Sequence, residues 1–390
     1  MSRIPKLRFK EFNGDWKFST LGSYFTFKNG INATKEQYGK GYKFINVLDI
    51  INNNTITHKN IIGSVDVKKD IFEKNIVEYG DILFQRSSEV REDAGQSIVY
   101  LDKEIPATFG GFVIRGKAKQ DYYPEFMNYM LKTNLARKEI TTKSNGSTRY
   151  NVGQETLSKV FIYVPLQQEQ EKIASCLTSV DTKIEQLTKK ETLLKEYKKG
   201  VMQKIFNQEI RFKDDDGSEF CDWEETRLKE ILDYEQPTKY IVESTEYNNS
   251  YNTPVLTAGK TFILGYTNEK NGVYVNSPVI IFDDFTTANH YVNFNFKVKS
   301  SAMKLLKVKH QDINLKFVYE FIQKLHFPIG EHKRYWISEY SYLKIKLPSF
   351  DEQTKIANFL STIDTKLEQT QKQLEQTKEF KKALLQQMFV

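Results

Sequence analysis

A chain of 390 residues is long for one ordinary domain and divides naturally into two or more. Hydrophobic residues make up 39% and aromatics 13%, which is enough apolar material for real cores and excludes a wholly disordered chain. The formal net charge is +7, and two cysteines, Cys176 and Cys221, cannot build a disulfide framework or a cysteine-rich zinc site.

The first twenty residues hold no apolar signal core, and apolar runs such as 279–282 are far too short to span a bilayer. The chain is therefore expected in the cytoplasm, away from membranes. It opens with an arm: Leu7, Arg8, Phe9 and Lys10, followed by Trp16 and Leu21. Strand-like stretches follow at 43–50, 81–84, 96–100 and 107–115, then a helical pattern at 124–138. A long helix is predicted over 165–207. A second arm, Ile210, Arg211, Phe212 and Lys213 with Trp223 and Leu228, echoes the first. Strand-like stretches at 255–256, 273–282, 291–298 and 303–308 precede a helix at 314–325, where Phe317, Phe321 and Ile322 correspond to Phe126, Met130 and Leu131. A second long helix is predicted over 348–390.

The strongest feature is the repeat of the two long segments. Aligned without gaps at an offset of 183, 165–207 and 348–390 are identical at 19 of 43 positions. Each reads Pro-x-x-x-Glu-Gln-x-x-Ile-Ala-x-x-Leu-x-x-x-Asp from its first residue. Ser349 and Glu352 have capping-box spacing. Heptad-spaced apolar residues are Ile173, Leu177, Val180, Ile184, Leu187 and Leu194 in the first copy, and Ile356, Leu360, Ile363, Leu367, Leu374 and Leu384 in the second. Glu191, Lys198, Thr370, Thr377 and Lys381 interrupt the seam. Either Lys198 and Lys381 are true seam positions that set register, or the stripe drifts to period 3.6 and uses Tyr197 and Phe380. A helix of about 40 residues is about 60 Å long, and one with a single apolar stripe needs a partner. The two copies are expected to pair antiparallel.

Charge is uneven. Residues 1–164 carry 25 bases and 18 acids, 214–235 carry ten acids and two bases, and 236–347 carry 14 bases and nine acids. Two basic regions separated by helical and acidic sequence suit contact with a polyanion. The chain has no G-x-x-x-x-G-K-S/T loop, no G-x-G-x-x-G fingerprint and no histidine pair at metal-ligand spacing. No proline follows another, so the D/N-P-P-Y/F motif of amino-group DNA methyltransferases is missing. The Asp283–Asp284 pair reads as a turn rather than a metal site. No self-contained catalytic centre is legible.

The twice-repeated helix motif, each time after a strand-rich globule, resembles the specificity subunit of type I restriction–modification enzymes. The resemblance implies a mixed α/β fold. Two α+β target-recognition domains are separated by two long helices that form an antiparallel coiled coil, with a pseudo-twofold internal repeat. The expected domains are 1–164 (arm and first recognition domain), 165–207 (central spacer helix), 208–347 (linking arm and second recognition domain) and 348–390 (C-terminal spacer helix). It further implies a non-catalytic subunit that binds a bipartite double-stranded DNA target, one half-site per globule. Two methyltransferase subunits would dock on the spacers, and two motor–nuclease subunits would complete the complex. S-adenosylmethionine, ATP and magnesium would be bound by those partners, with no cofactor or metal in this chain. The seam residues named above would serve as coiled-coil and partner-docking positions.

Base and phosphate readout needs Arg, Lys, Asn, Gln, Ser, Thr and aromatic side chains. In the first globule the candidates are Arg86, Ser87 and Arg91, and the loop Lys143, Asn145, Ser147, Arg149 and Tyr150. In the second they are Lys260; Thr286, Thr287, Asn289 and His290; and Lys333, Arg334 and Tyr335. A basic–aromatic pair, Arg149-Tyr150 or Arg334-Tyr335, thus precedes each spacer. The alternatives are a stand-alone nuclease or methyltransferase, which the missing motifs disfavour, and a DNA-binding or coiled-coil scaffold of another complex.

Overall fold

The computed structural model describes residues 4–146, 148–259, 261–325, 327 and 334–390. The chain divides into two compact units, Met1–Thr188 with Lys372–Val390, and Lys189–Gln371. The two long helices run Gln167–Phe206 and Phe350–Gln387. Each unit therefore holds one globule, the start of one long helix and the end of the other.

In the first unit an antiparallel sheet has the order Phe25–Asn29, Val113–Ala118, Ile82–Gln85, Ser97–Val99. Side chains alternate across it, because successive Cβ atoms of a strand point to opposite faces. Ile82, Phe84, Val99 and Ile114 join a large core with Trp16, Phe25, Phe126, Ile173 and Leu177. Leu83, Ile98 and Val113 join a second core with Ile45, Ile50, Tyr100 and Phe109. Both faces are buried, which is why the run Ile82-Leu83-Phe84 is apolar throughout. Beside it lies a three-stranded sheet, Ser64–Val65, Tyr38–Ile45 and Thr108–Phe109.

The second unit repeats this plan. Its four-stranded sheet has the order Leu232–Glu235, Met303–Val308, Val279–Asp283, Asn289–Val292. Ile280, Phe282 and Leu306 face a core that includes Trp223, Phe317, Ile356 and Leu360. Val279, Ile281 and Leu305 face the other core with Tyr274 and Phe296. A three-stranded sheet again accompanies it, Ile263–Thr267, Thr253–Leu256 and Lys297–Val298.

Several expected elements are shorter or broken, for local reasons. The strand expected through residue 50 stops at Ile45, because Asn46 and Asp49 start the helix Val47–Asn52; the Asp49 carboxylate accepts the Asn46 N–H at 2.8 Å. The stretch 107–115 splits into Thr108–Phe109 and Val113–Ala118. The helix expected at 124–138 is two helices, Pro124–Met130 and Asn134–Thr142, because Thr133 caps the second. The ladder expected from 273 begins at Val279, after Pro278, which has no N–H to donate.

The Pro-x-x-x-Glu-Gln motif has a structural meaning. Glu169 is buried and accepts from the Arg8 guanidinium at 2.8 and 2.7 Å and from the Trp16 indole at 3.3 Å. Glu352 accepts from Arg211 at 3.2 and 2.8 Å and from Trp223 at 3.0 Å. The neighbouring glutamines also match. Gln170 bonds the carbonyl of Pro165 and the N–H of Tyr123, and Gln353 bonds those of Pro348 and Asn314. Each motif thus ties its arm and its globule to the start of a long helix. The Glu352 carboxylate is turned to Arg211 and Trp223. Of the predicted capping box, the bond described is the one from the Glu352 N–H to Ser349 Oγ.

The seam is resolved in favour of the lysines. Tyr197 and Phe380 are 55% and 56% exposed. In the first unit Lys381 pairs with Asp181 at 2.6 Å, and in the second Lys198 pairs with Asp364 at 2.5 Å. These are equivalent pairs at the 183-residue offset, and each joins the early part of one long helix to the late part of the other, as antiparallel pairing requires. Thr370, an interruption of the apolar pattern, is also buried. In the second unit Glu320 sits between Lys198 and Lys316 at 2.9 and 2.8 Å, and Lys316 reaches Asp364 at 3.1 Å. In the first unit Tyr129 occupies the place of Glu320; its hydroxyl donates to Asp181 at 2.7 Å, and Lys381 lies over its ring.

Glu352→Ala leaves the Trp223 indole without its acceptor and Arg211 without its buried counter-charge. The expected loss is about 3 kcal/mol, read from urea unfolding. Burial works to raise the Asp364 carboxyl, but the pairs with Lys198 and Lys316 outweigh it and hold the group below its ordinary value. The stability from Asp364 is therefore present at neutral pH and lost as pH falls through that depressed pKa, below about 4. The unfolding midpoints of Asp364→Asn and the parent protein are expected to differ at pH 7 and to converge in acid.

Candidate nucleic-acid interface

In the first unit the two polar stretches predicted separately meet. Ser87–Ser88 pairs antiparallel with Tyr150–Asn151, and Ser87 Oγ donates to the Asn151 side chain. Asn145 and Asn151 exchange backbone bonds of 3.0 and 2.8 Å, which closes the loop between them. Gly146 is in the left-handed region (φ +124°), and a Cβ there would lie 2.0 Å from the Arg149 carbonyl oxygen, so the loop demands glycine. Arg149 and Asn145 are exposed on this loop, and Arg86 is exposed beside it. Arg91 is committed to the carbonyls of Thr141 and Thr142 at 3.1 and 3.3 Å. Lys143 pairs with Glu139 at 2.7 Å and lies over Phe161. Tyr150 is half-buried against the large core. Ser147 lies outside the described residues.

Sequence reasoning missed Arg137. Its guanidinium bonds the carbonyls of Glu92, Ala94 and Gly95 at 2.7 to 2.8 Å and so holds the turn that follows Arg91. A lone arginine in a helical pattern gives no signal of that role.

In the second unit the hairpin between Val279–Asp283 and Asn289–Val292 carries Thr286 and Thr287. Asp283 Oδ1 accepts the N–H groups of Phe285 and Thr286 at 2.8 and 2.9 Å, a turn function and not a metal one. Among the described residues no group of His, Cys, Asp and Glu could hold a metal ion. Thr287 has φ +57°, an outlier for a β-branched residue. Such strain persists where the surroundings impose it, and often at functional tips. Asn289 donates to the Thr287 carbonyl at 3.0 Å and accepts from Gln323. His290 stacks on Phe262 with ring centroids 4.1 Å apart, and burial pushes its pKa down, which favours the neutral ring.

Asp284 joins this hairpin to the segment before the second long helix. Its carbonyl accepts the Tyr335 N–H at 2.8 Å, and its carboxylate accepts the Trp336 N–H at 2.9 Å. The other carboxylate oxygen pairs with Lys304, 3.2 Å away and 1% exposed. Arg334 is thus held exposed near the hairpin tip. Tyr335 corrects the expectation: it is 1% exposed and packs near Phe327, so it anchors the segment from within and does not face a ligand. The basic–aromatic pairs are alike in sequence, yet only their arginines are exposed. Lys260 and Lys333 lie outside the described residues.

The predicted seam residues lie where paired helices would bury them. Ile173, Leu177, Leu187, Ile356, Leu360, Ile363, Leu374 and Leu384 are each at most 6% exposed, and Val180, Ile184, Leu194 and Leu367 are partly buried. They close the interior of their own units, as a paired seam does.

The family described as "Type I restriction modification DNA specificity domain" matches residues 13–196 and 221–378. The chain belongs to this family. Each match spans one specificity domain and most of the helix that follows it. Over 135 residues the chain is 57% identical to the type I restriction enzyme EcoR124I/EcoR124II specificity subunit of Escherichia coli, a match that spans 33% of each chain. A putative type I restriction enzyme MjaX specificity subunit of Methanocaldococcus jannaschii is 24% identical, over 98% of this chain and 94% of that one. The crystal structure of a type I restriction–modification system S subunit from M. genitalium has the same fold, with a TM-score of 0.67 at 18% identity and 99% coverage of both chains. No helix among the described residues is long and apolar enough to cross a membrane.

Asp284→Asn should leave Lys304 buried without a counter-charge and lower stability by about 3 kcal/mol in urea unfolding. Replacing both, Asp284→Asn with Lys304→Met, is expected to recover most of that loss, because the uncompensated charge is gone.

Proposed function

We propose that this chain is the DNA-sequence specificity subunit of a type I restriction–modification complex in the cytoplasm. Its two specificity domains, within 1–164 and 208–347, each read one half of a bipartite double-stranded target. The spacer helices at 165–207 and 348–390 set the gap between the half-sites and dock two methyltransferase subunits. Two motor–nuclease subunits complete the restriction complex. The chain performs no chemistry itself; S-adenosylmethionine, ATP and magnesium belong to the partners.

The observation that carries this reading is a duplicated frame bearing two unlike polar surfaces. The Glu169 and Glu352 clasps and the paired sheets are the same in both units, whereas the exposed groups differ. In the first they are Arg86, Asn145 and Arg149; in the second they are Thr286 and Arg334, with Thr287 half-buried beside them. A protein that reads two different half-sites needs this combination, since phosphate contacts position the protein and base-edge contacts specify the sequence.

Methylome sequencing of a host carrying the chain with its methyltransferase subunit tests the reading. One bipartite methylated motif is expected, and no new methylated motif would refute it. Arg149→Ala and Arg334→Ala are each expected to weaken duplex binding in gel shifts. Each should also reduce the slope of log affinity against log salt by about 1, as loss of one phosphate contact does. An unchanged slope and affinity would remove that arginine from the interface.

A further inference from the structure

Two grooves repeat one lining at the offset that relates the long helices. In the first unit a groove of about 620 Å³ is lined by Lys378, Lys381, Lys382, Leu385 and Gln386, with Lys132 also in its wall. In the second a groove of about 540 Å³ is lined by Lys195, Lys198, Lys199, Met202 and Gln203, with Lys324 also in its wall. The five helix positions of one are those of the other shifted by 183 residues.

Internal structure explains only part of this identity. Lys198 and Lys381 are held by Asp364 and Asp181. The flanking lysines and the glutamines are exposed, yet they are the same in both copies, although 24 of the 43 repeat positions have diverged. Lys195 pairs with Glu191 and Lys378 with Glu375, different geometries on exposed surfaces where such pairs contribute little. Among the described residues Lys199 and Lys382 have no acidic partner, and no Asp or Glu side chain lines either groove. Lys132, half-buried, is pushed down to about 8 by burial and by the nearby Lys381. Each groove therefore sets a lysine with no acidic partner among the described residues, Lys199 or Lys382, beside paired lysines, and its lining side chains are basic, polar or apolar. Its lining also has an apolar component: Leu385 and Phe389 in the first, Met202 and Leu367 in the second.

We propose that each groove docks an acidic amphipathic helix of a partner protein, one copy per groove. Lysines at i, i+3 and i+4 followed by an apolar residue at i+7 extend over two turns of one helix face, which matches a helix with an acidic stripe beside an apolar one. A phosphate backbone would make no use of the apolar lining. The inference rests on the reading that the chain recruits two methyltransferase subunits, and it names where and by what chemistry they dock.

The test is native mass spectrometry of the full chain co-expressed with the methyltransferase subunit of the same restriction locus, at low and high salt. Lys195→Glu with Lys199→Glu, and separately Lys378→Glu with Lys382→Glu, are each expected to remove one partner copy, with affinity at that groove lowered about tenfold or more. Combined, they should remove both copies. The matching Lys→Arg variants should keep both, which separates loss of charge from loss of fold. Two copies retained in the combined variant at unchanged affinity would overturn the inference while leaving the function reading intact. No partner bound by the parent chain would overturn both. Weakened DNA binding at unchanged partner number would assign the grooves to DNA and overturn the docking role.

Discussion

The structure depends on two buried carboxylates. A buried glutamate without partners is too costly to keep, so Glu169 and Glu352 compel their surroundings to supply donors. Each draws an arginine and a tryptophan from an arm more than one hundred residues away to the first turn of a long helix. The indole then lies in the core that buries the sheet face, and the adjacent glutamine ties down the start of the globule's own helix. One charge thus organises arm, globule and helix into a single unit, and the chain does this twice.

The seam shows how the frame tolerates divergence in what it carries. Both units keep an aspartate–lysine pair between the long helices. In the second unit the neighbouring globule helix adds Glu320 and Lys316, so two acids balance two bases. In the first, Tyr129 replaces the second acid and the ring faces the lysine. Either arrangement keeps the seam lysine on its aspartate. The helix pairing therefore stays the same while the globule sequences drift apart, which suits a frame that presents two unlike surfaces.

Much of this was legible from spacing alone. The repeat puts Glu169, Glu352, Asp181, Asp364, Lys198 and Lys381 at equivalent positions, and the strand-like stretch 303–308 is the strand Met303–Val308. Other features were not. Tyr335 looks like a surface aromatic beside Arg334, and only packing near Phe327 shows it to be interior. Asp283 and Asp284 are neighbours with opposite tasks, one closing a turn and the other holding Lys304 and the Trp336 backbone. Nothing in the two letters distinguishes them.

By itself the sequence determined the duplicated order of arm, globule and helix, the apolar stripes and the polar segments offered to a ligand. These are set by periodicity and by residue types a few positions apart, which local backbone geometry reads directly. Tertiary structure alone decided that Ser87 meets Asn151, that Arg91 bonds the carbonyls of Thr141 and Thr142, and that Tyr335 is interior. Those outcomes depend on which groups lose water, and desolvation is a property of neighbours brought together from distant parts of the chain.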